Sequence, residues 1–326
     1  MPRGNCSAIA RRLPTGDGNL TAGSLSILHS DSSRNMSLEG IINIDKPQGI
    51  TSHDVVNQLR RLSGIRRVGH AGTLDPLATG VLLLCIGRAT RLSEYMVGQL
   101  KGYEATVRLG QVTDSYDADG EIISEQAISV SRSDIIEALD PFRGLIQQRA
   151  PIYSAIKQQG QPLYKLAREG KPVEAPVREV HIYDLELLAW EKPSAQIRVV
   201  CSAGTYIRSL AHDLGQNLGC GGHVTALRRT SIGEFRVEQA VALDDLDEQN
   251  WADYLQPSDS AVRHMPRLDL SLDDAGRLQL GQRLQRQESH PDATLVRAYA
   301  PDGRFIGIVC SRDSSWQPHK MFLAQS

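Results

Sequence analysis

The stretch GHAGTLDPLATGVLLLCI, residues 69–86, constrains this chain more than any other. Its first half is shaped by Gly69, Gly72, Pro76 and Gly80, residues that set backbone rather than fill a core. Its second half, VLLLCI, is a short continuous apolar run of the kind that forms a buried strand. A loop that feeds straight into such a strand sits beside the core and not at a mobile tip. The polar content of the loop is His70, Thr73, Asp75 and Thr79. The residue before a proline is pushed toward extended backbone, so Asp75 stays out of a helical turn, and the flanking glycines let another backbone approach closely. The Asp75 carboxylate is therefore aimed outward from a rigid support. Taken alone, Asp-Pro reads more simply as the opening of a turn.

With 326 residues, 40% hydrophobic and 23% charged, the composition is that of an ordinary globular chain, long enough for one large domain and a smaller one. No apolar run approaches the roughly 20 residues needed to cross a bilayer, and the first residues lack the apolar segment of a secretory signal. The five cysteines, Cys6, Cys85, Cys201, Cys220 and Cys310, are scattered without a C-x-x-C pair. Neither a disulfide framework nor a zinc knuckle is indicated, and a reducing cytoplasm is the expected compartment.

A net charge of −2 taken alone argues against a nucleic-acid partner, yet the charges are unevenly distributed. Between Asn57 and Arg91 the basic residues are Arg60, Arg61, Arg66, Arg67, Arg88 and Arg91, and the only acid is Asp75. From Arg143 to Arg178, the residues Arg149, Lys157, Lys165, Arg168 and Lys171 lie among Tyr153 and Tyr164. Aromatics among cations suit stacking on bases and contact with phosphate. Two basic regions on a neutral chain are the footprint of local polyanion binding, with a solvated surface as the plainer alternative.

Taken in order, residues 1–35 are rich in Ser, Gly, Asn and Arg without periodicity and are expected to be a disordered N-terminal extension. An over-long start or an organellar transit peptide accounts for them. GIINIDKP reads as a strand ending at Lys46. Thr51 with Asp54 forms a capping-box start for a helix whose Val55, Val56, Leu59 and Leu62 share one face. A short helix is predicted around 92–97. In KGYEATVRLG, Tyr103, Ala105, Val107 and Leu109 share the buried face, where an inward tyrosine is ordinarily just core. The acidic loop 113–120 falls short of a calcium loop, because its first and twelfth positions would be Ser115 and Gln126. A helix around 134–139 precedes the second basic region. Two strands then place Tyr183, Leu185 and Leu187, and Ile197, Val199 and Cys201, on inward faces. In SAGTYIRSLAHDLG a helix carries Leu210, Ala211 and Leu214 on its apolar stripe, with Thr205 as its expected cap. Arg208 in the first turn opposes the helix dipole at a cost of about 0.3–1 kcal/mol, so an acidic partner is expected, or a neighbouring surface loop. Residues 256–266 read as a linker. The tail contains two alternating segments joined by Pro301-Asp302-Gly303, a hairpin signal, within a small all-β module.

No phosphate-binding loop, nucleophile elbow or H-E-x-x-H helix occurs. The nine histidines form no ligand cluster. Neither metal nor cofactor is called for.

Five segments in this order, INIDKPQGITSHDVV, GHAGTLDPLATGVLLLCIGRAT, KGYEATVRLGQVTDSYDADG, PIYSAIKQQGQPLYKLAREG and CSAGTYIRSLAHDLG, resemble the TruB family of tRNA pseudouridine synthases over about residues 39–230. The tail is more weakly similar to that family's RNA-binding PUA-like module. The resemblance implies an α+β pseudouridine synthase fold with a central mixed, mostly antiparallel sheet. Its catalytic domain would cover residues 36–256, with a basic RNA-binding insertion at about 143–178, and the PUA-like module residues 267–326. It implies isomerisation of uridine 55 in the TΨC loop of tRNA. By position, Asp75 matches the essential aspartate, Tyr103 the ring against the uracil, Arg208 the partner of the aspartate and His70 the residue beside the flipped nucleotide. Lys46 falls in the K-P motif near the active site, and Leu227 matches a pocket leucine. Tyr206 joins the expected substrate-binding residues.

The chemistry agrees with the residues. The N1 glycosidic bond must break, the uracil rotate and the ring rejoin through C5, which calls for one carboxylate in a dry pocket. The target nucleotide must be extruded at a cost of a few kcal/mol. Arg208 is expected to keep Asp75 ionised, and Tyr103 to stack on the uracil with its hydroxyl near the reacting carbon. Attack at C1′, attack at C6 and promoted elimination all stay open. A guide-RNA-dependent relative and a non-catalytic tRNA-binding or folding protein are the competing readings. The segment 151–170 looks like the stand-alone bacterial type, so the expected partner is the tRNA T-arm, bound by a monomer without guide RNA.

Overall fold

Every second residue of the Thr79–Ile86 strand enters a different core, which is why the run is continuously apolar. Leu82, Leu84 and Ile86 join one buried cluster, and Val81, Leu83 and Cys85 join another. The computed structural model describes residues 38–154, 156–158, 160–169, 173–285 and 294–322. The expected extension 1–35 lies outside these residues, as do Lys171 and the side chains of Lys157 and Arg168.

Among the described residues the main sheet has ten strands. Eight run in the order Val241–Ala242, Gly40–Lys46, Thr79–Ile86, Gly222–Ile232, Lys101–Leu109, Ser194–Cys201, Val177–Glu191 and Gly144–Arg149. Two pairings are parallel, Gly40–Lys46 with Val241–Ala242 and Thr79–Ile86 with Gly222–Ile232. The others are antiparallel, so the sheet is mixed and mostly antiparallel, as expected. One layer buries Val55, Val56 and Leu59 of helix Ser52–Ser63, Ile135 of helix Arg132–Leu139, and Ile207, Leu210 and Leu214 of helix Ile207–Asn217. The capping box is formed: Thr51 and Asp54 satisfy each other's backbone N–H groups. Tyr103, Ala105, Val107 and Leu109 all point inward.

On the opposite side, Ile41, Val81 and Leu83 are covered by Ala261, Val262 and Met265 and by Ile308 and Phe322 of the C-terminal part. Among the described residues that part is a five-stranded sheet in the order Arg267–Asp269, Leu295–Tyr299, Phe305–Arg312, Ser315–Met321 and Leu284–Gln285, with the predicted hairpin at its centre. A helix, Leu272–Gln279, packs on it. Arg91 donates to the carbonyl of Met321 at 2.7 Å, and the Tyr299 hydroxyl donates to Asp259 at 2.6 Å. The five-stranded sheet is thereby tied to the main body.

Three local expectations are corrected. Residues 256–266 are not a free linker, because Gln256 exchanges backbone hydrogen bonds with Ile41 and Ala261 and Val262 are buried. Tyr183 faces out at 55% exposure because the strand pairing shifts register between Ile182 and Asp184, and it stacks on His181. Thr205 does not cap its helix; its hydroxyl donates to Ser202, and Gln148 holds Tyr206 through both of that residue's backbone groups.

Gly80 is required where two strands meet. It sits at φ +96, and a Cβ there would lie 2.2 Å from the Arg229 carbonyl oxygen. Gly80→Ala is expected to destabilise the fold by about 2–3 kcal/mol, read as a lowered denaturant midpoint. An unchanged midpoint would contradict this packing.

Candidate active site

The loop carrying Asp75 is held from behind by short-range bonds. Ser52 both donates to and accepts from the backbone of Leu74, at 3.0 and 2.8 Å. Lys46, at the end of the first strand, is fully buried and donates to the carbonyls of Pro47 at 2.8 Å and Pro76 at 3.4 Å. Burial lowers the Lys46 ammonium to about 8, with Asp75 pulling the other way. Lys46 therefore stands behind the loop and fixes it. Leu74 and Leu77, on either side of Asp75, are buried anchors. The carboxylate between them keeps 40% of its side-chain surface open.

A cavity of about 290 Å³ opens over this loop, walled by Asp75, Tyr103, Arg208, Leu227, Lys101 and Arg229. Arg208 Nε meets Asp75 Oδ2 at 3.0 Å. The same guanidinium reaches Asp117 Oδ2 at 3.1 Å and donates to the carbonyls of Ser115 at 3.1 Å and Tyr153 at 2.9 Å. Arg208 and Asp117 are both 6% exposed at the side chain. The acidic partner expected for a cation at a helix start is thus two carboxylates, one of which the sequence reading missed. Asp117 is itself fixed by Ser115 Oγ at 2.6 Å and the Asp119 N–H at 3.1 Å.

Burial pushes the Asp75 carboxyl above its ordinary value. Arg208 opposes that push, whereas Asp117 and Asp119 reinforce it and Lys46 again opposes. Arg208 favours the ionised form, as expected, yet desolvation outweighs it. Tyr103 lies in the cavity wall, buried, with Arg229 facing its hydroxyl. Arg229 is 1% exposed. It donates to the carbonyls of Val81 at 2.7 Å, Thr73 at 3.3 Å and Gly72 at 3.1 Å, gripping both ends of the Asp75 loop.

Leu227 and Tyr206 line the cavity together with the three expected catalytic residues. His70 is not among the lining residues. It is half-buried on the short strand Val68–His70, with Nδ1 unpartnered among the described residues and burial lowering its pKa. Of the basic insertion, Arg149 donates to the carbonyl of Ala175 at 3.1 Å and Lys165 is exposed on helix Leu163–Arg168. Asp117, Lys101 and Arg229 are the site residues the sequence reading missed. The one sequence signal for Asp117 is its place in the acidic loop 113–120.

A carboxylate paired to a buried arginine, with a tyrosine alongside, lies on a mixed sheet that the solved structures share. The structure titled "Structure of H/ACA RNP bound to a substrate RNA containing 2'-deoxyuridine" superposes with a TM-score of 0.67 at 26% identity, covering 87% of this chain and 85% of that one. The structure titled "Crystal Structure of a Cbf5-Nop10-Gar1 Complex" gives the same values. The class these features define is the pseudouridine synthases. Residues 60–207 match the family described as TruB family pseudouridylate synthase (N terminal domain), 208–268 the tRNA pseudouridylate synthase B C-terminal domain, and 265–323 the tRNA pseudouridine synthase II C-terminal domain. The chain is 46% identical over 279 residues to tRNA pseudouridine synthase B of Pseudomonas aeruginosa, covering 83% of this chain and 91% of that one. It is 44% identical to that of Stutzerimonas stutzeri, covering 88% and 97%. The chain belongs to the TruB family and is a pseudouridine synthase.

Proposed function

We propose that this enzyme isomerises uridine 55 in the TΨC loop of tRNA to pseudouridine, by base flipping and an essential Asp75, on bare tRNA without guide RNA or cofactor. The observation that carries the reading is the Asp75–Arg208 contact of 3.0 Å on the wall of a cavity of about 290 Å³. Such a space has room for a single nucleoside and none for a paired stem, so the target leaves the stack to reach the carboxylate. Relatives named tRNA pseudouridine synthase B at 41–46% identity support tRNA as the substrate. They favour this reading over the RNP-type alternative, whose likeness is at 26%.

Within this reading Asp75 acts as the carboxylate at the reacting sugar or ring, and Tyr103 and Leu227 hold the uracil. Tyr206 lines the space the nucleotide enters, and His70, outside that lining, is the residue beside the flipped nucleotide that helps to extrude it. Lys46 fixes the Asp75 loop from behind. The basic insertion at about 143–178, with Arg149, Lys157, Lys165, Arg168 and Lys171, contacts phosphate, as does the module at 267–326. The enzyme works as a monomer in the cytoplasm. An unmodified tRNA transcript should be converted at position 55, and the same transcript with cytidine there should yield no pseudouridine. Conversion elsewhere, or none in either RNA, would overturn the assignment.

The required form of Asp75 is the ionised one, and its pKa is raised by burial from the ordinary 3.8. Activity is therefore full above the raised value and lost as pH falls through it. The acid limb of the single-turnover rate should lie above the range of a free carboxylate, and further up in Arg208→Met. A limb at or below that range, or unmoved in the variant, would contradict the assigned electrostatics.

A further inference from the structure

The two sides of the cavity differ in charge balance. Arg208 is matched by two carboxylates, Asp75 and Asp117. Arg229 and Lys101, which line the same cavity, are both buried, and neither has a carboxylate salt bridge among the described residues. They sit side by side under Gly72: a Cβ built there lies 3.7 Å from Arg229 Nη1 and 3.9 Å from Lys101 Cε, and the glycine is held at φ +97. Lys101 spends two of its N–H groups on the carbonyls of Val97 at 2.7 Å and Gln99 at 2.9 Å. Arg229 spends three on Val81, Thr73 and Gly72. Each keeps a donor beyond those bonds. Arg229 faces the Tyr103 hydroxyl. A guanidinium only donates, so toward Arg229 the phenol can act only as an acceptor, which leaves its own O–H for an acceptor in the cavity. Burial and Arg229 bring Lys101 down to about 8, which still leaves it a cation at neutral pH.

Buried cations without a carboxylate in contact are costly, and Asp75 acts on Arg229 only as a more distant charge. The reaction itself supplies the missing charge. We propose that Arg229 and Lys101, with the Tyr103 hydroxyl as the contact between them and the base, form an anion-stabilising wall for the uracil as its N1–C1′ bond breaks. In that step the bonding electron pair leaves with N1, the Asp75 carboxylate bonds to C1′, and the resulting uracil monoanion is delocalised onto the ring oxygens. After the ring turns, C5 bonds to C1′ as the C1′–O bond to Asp75 breaks and the carboxylate is restored; the C5 proton is lost and N1 gains one, so that product and substrate are isomers. Preorganised donors aimed at charge that develops only during the reaction act on the rate and not on binding. The inference rests on the function proposed above, and it assigns a role to two further lining residues of that same site.

The test varies the leaving group. Two T-arm stem-loops, identical except for uridine or 5-fluorouridine at the target, are consumed under single-turnover conditions by the wild type, Arg229→Met, Arg229→Lys and Lys101→Met. Fluorine makes the departing base a weaker base that needs less stabilisation. Arg229→Met should lose about 100-fold on uridine and about 10-fold or less on 5-fluorouridine. Arg229→Lys and Lys101→Met should show the same preference with smaller losses, and RNA affinity should hold in all three. Equal fold losses on both substrates would overturn the inference and reduce the pair to a structural role. Should Arg229→Met fail to fold, the ratio in Arg229→Lys and Lys101→Met decides in the same way. An inert wild type would sink the proposed function itself, whereas an active wild type with equal losses sinks only this wall.

Discussion

Replacing Asp75 with asparagine is expected to abolish pseudouridine formation, by about 10³-fold or more, while RNA binding and the melting temperature stay close to wild type. The expectation follows from how the residue is held. Its loop is fixed by the buried Leu74 and Leu77 and by Ser52, Lys46 and Arg229 acting on backbone atoms, and none of these contacts uses the carboxylate. Arg208 would still have Asp117 and the carbonyls of Ser115 and Tyr153. The side chain is thus dispensable for the fold and indispensable for the chemistry. Loss of folding together with activity, seen as a collapsed melt, would make Asp75 structural.

Arg208→Met is expected to fail on both counts. It removes the cation between two carboxylates, one of them only 6% exposed, and leaves that buried charge with the Ser115 hydroxyl and the Asp119 N–H but no cation. Breaking a buried pair in this way costs about 3–5 kcal/mol. Turnover should fall by about 10³-fold, because the carboxyl already raised by burial loses its main opposing charge. The two effects are separable. Adding Asp117→Asn to Arg208→Met removes the stranded charge and should restore much of the stability without restoring turnover, a non-additive result expected of groups in one network. A single variant as stable as wild type, or a double variant that regains activity, would contradict the arrangement.

The parts of this site that were readable from sequence are those fixed by local backbone rules. Asp75 stands before a proline and between glycines, and Arg208 violates the dipole preference of its own helix, so each is conspicuous without a partner in view. The strand containing Tyr103 alternates without interruption, which gave its inward direction. Arg229 shows why the rest was hidden. Its strand, Gly222–Ile232, shifts register between Val224 and Ala226 and again between Arg229 and Ser231, so period-two counting does not tell which side chains turn inward. The same kind of irregularity turns Tyr183 outward. Asp117 was invisible for a different reason. Its contact with Arg208 is made across 91 residues of chain, and nothing in an acidic loop announces a distant guanidinium. The stretch 256–266 looked like a linker because short 3-10 turns carry no periodic signal, yet its Ala261 and Val262 cover the second face of the first strands.

The most direct measurement compares purified wild type and Asp75→Asn on an unmodified T-arm stem-loop transcript, with no added RNA or cofactor. Pseudouridine at the loop uridine with wild type alone, and comparable RNA binding by both proteins, is the predicted result. Product from both proteins, or from neither despite tight binding, would contradict a stand-alone synthase built on Asp75.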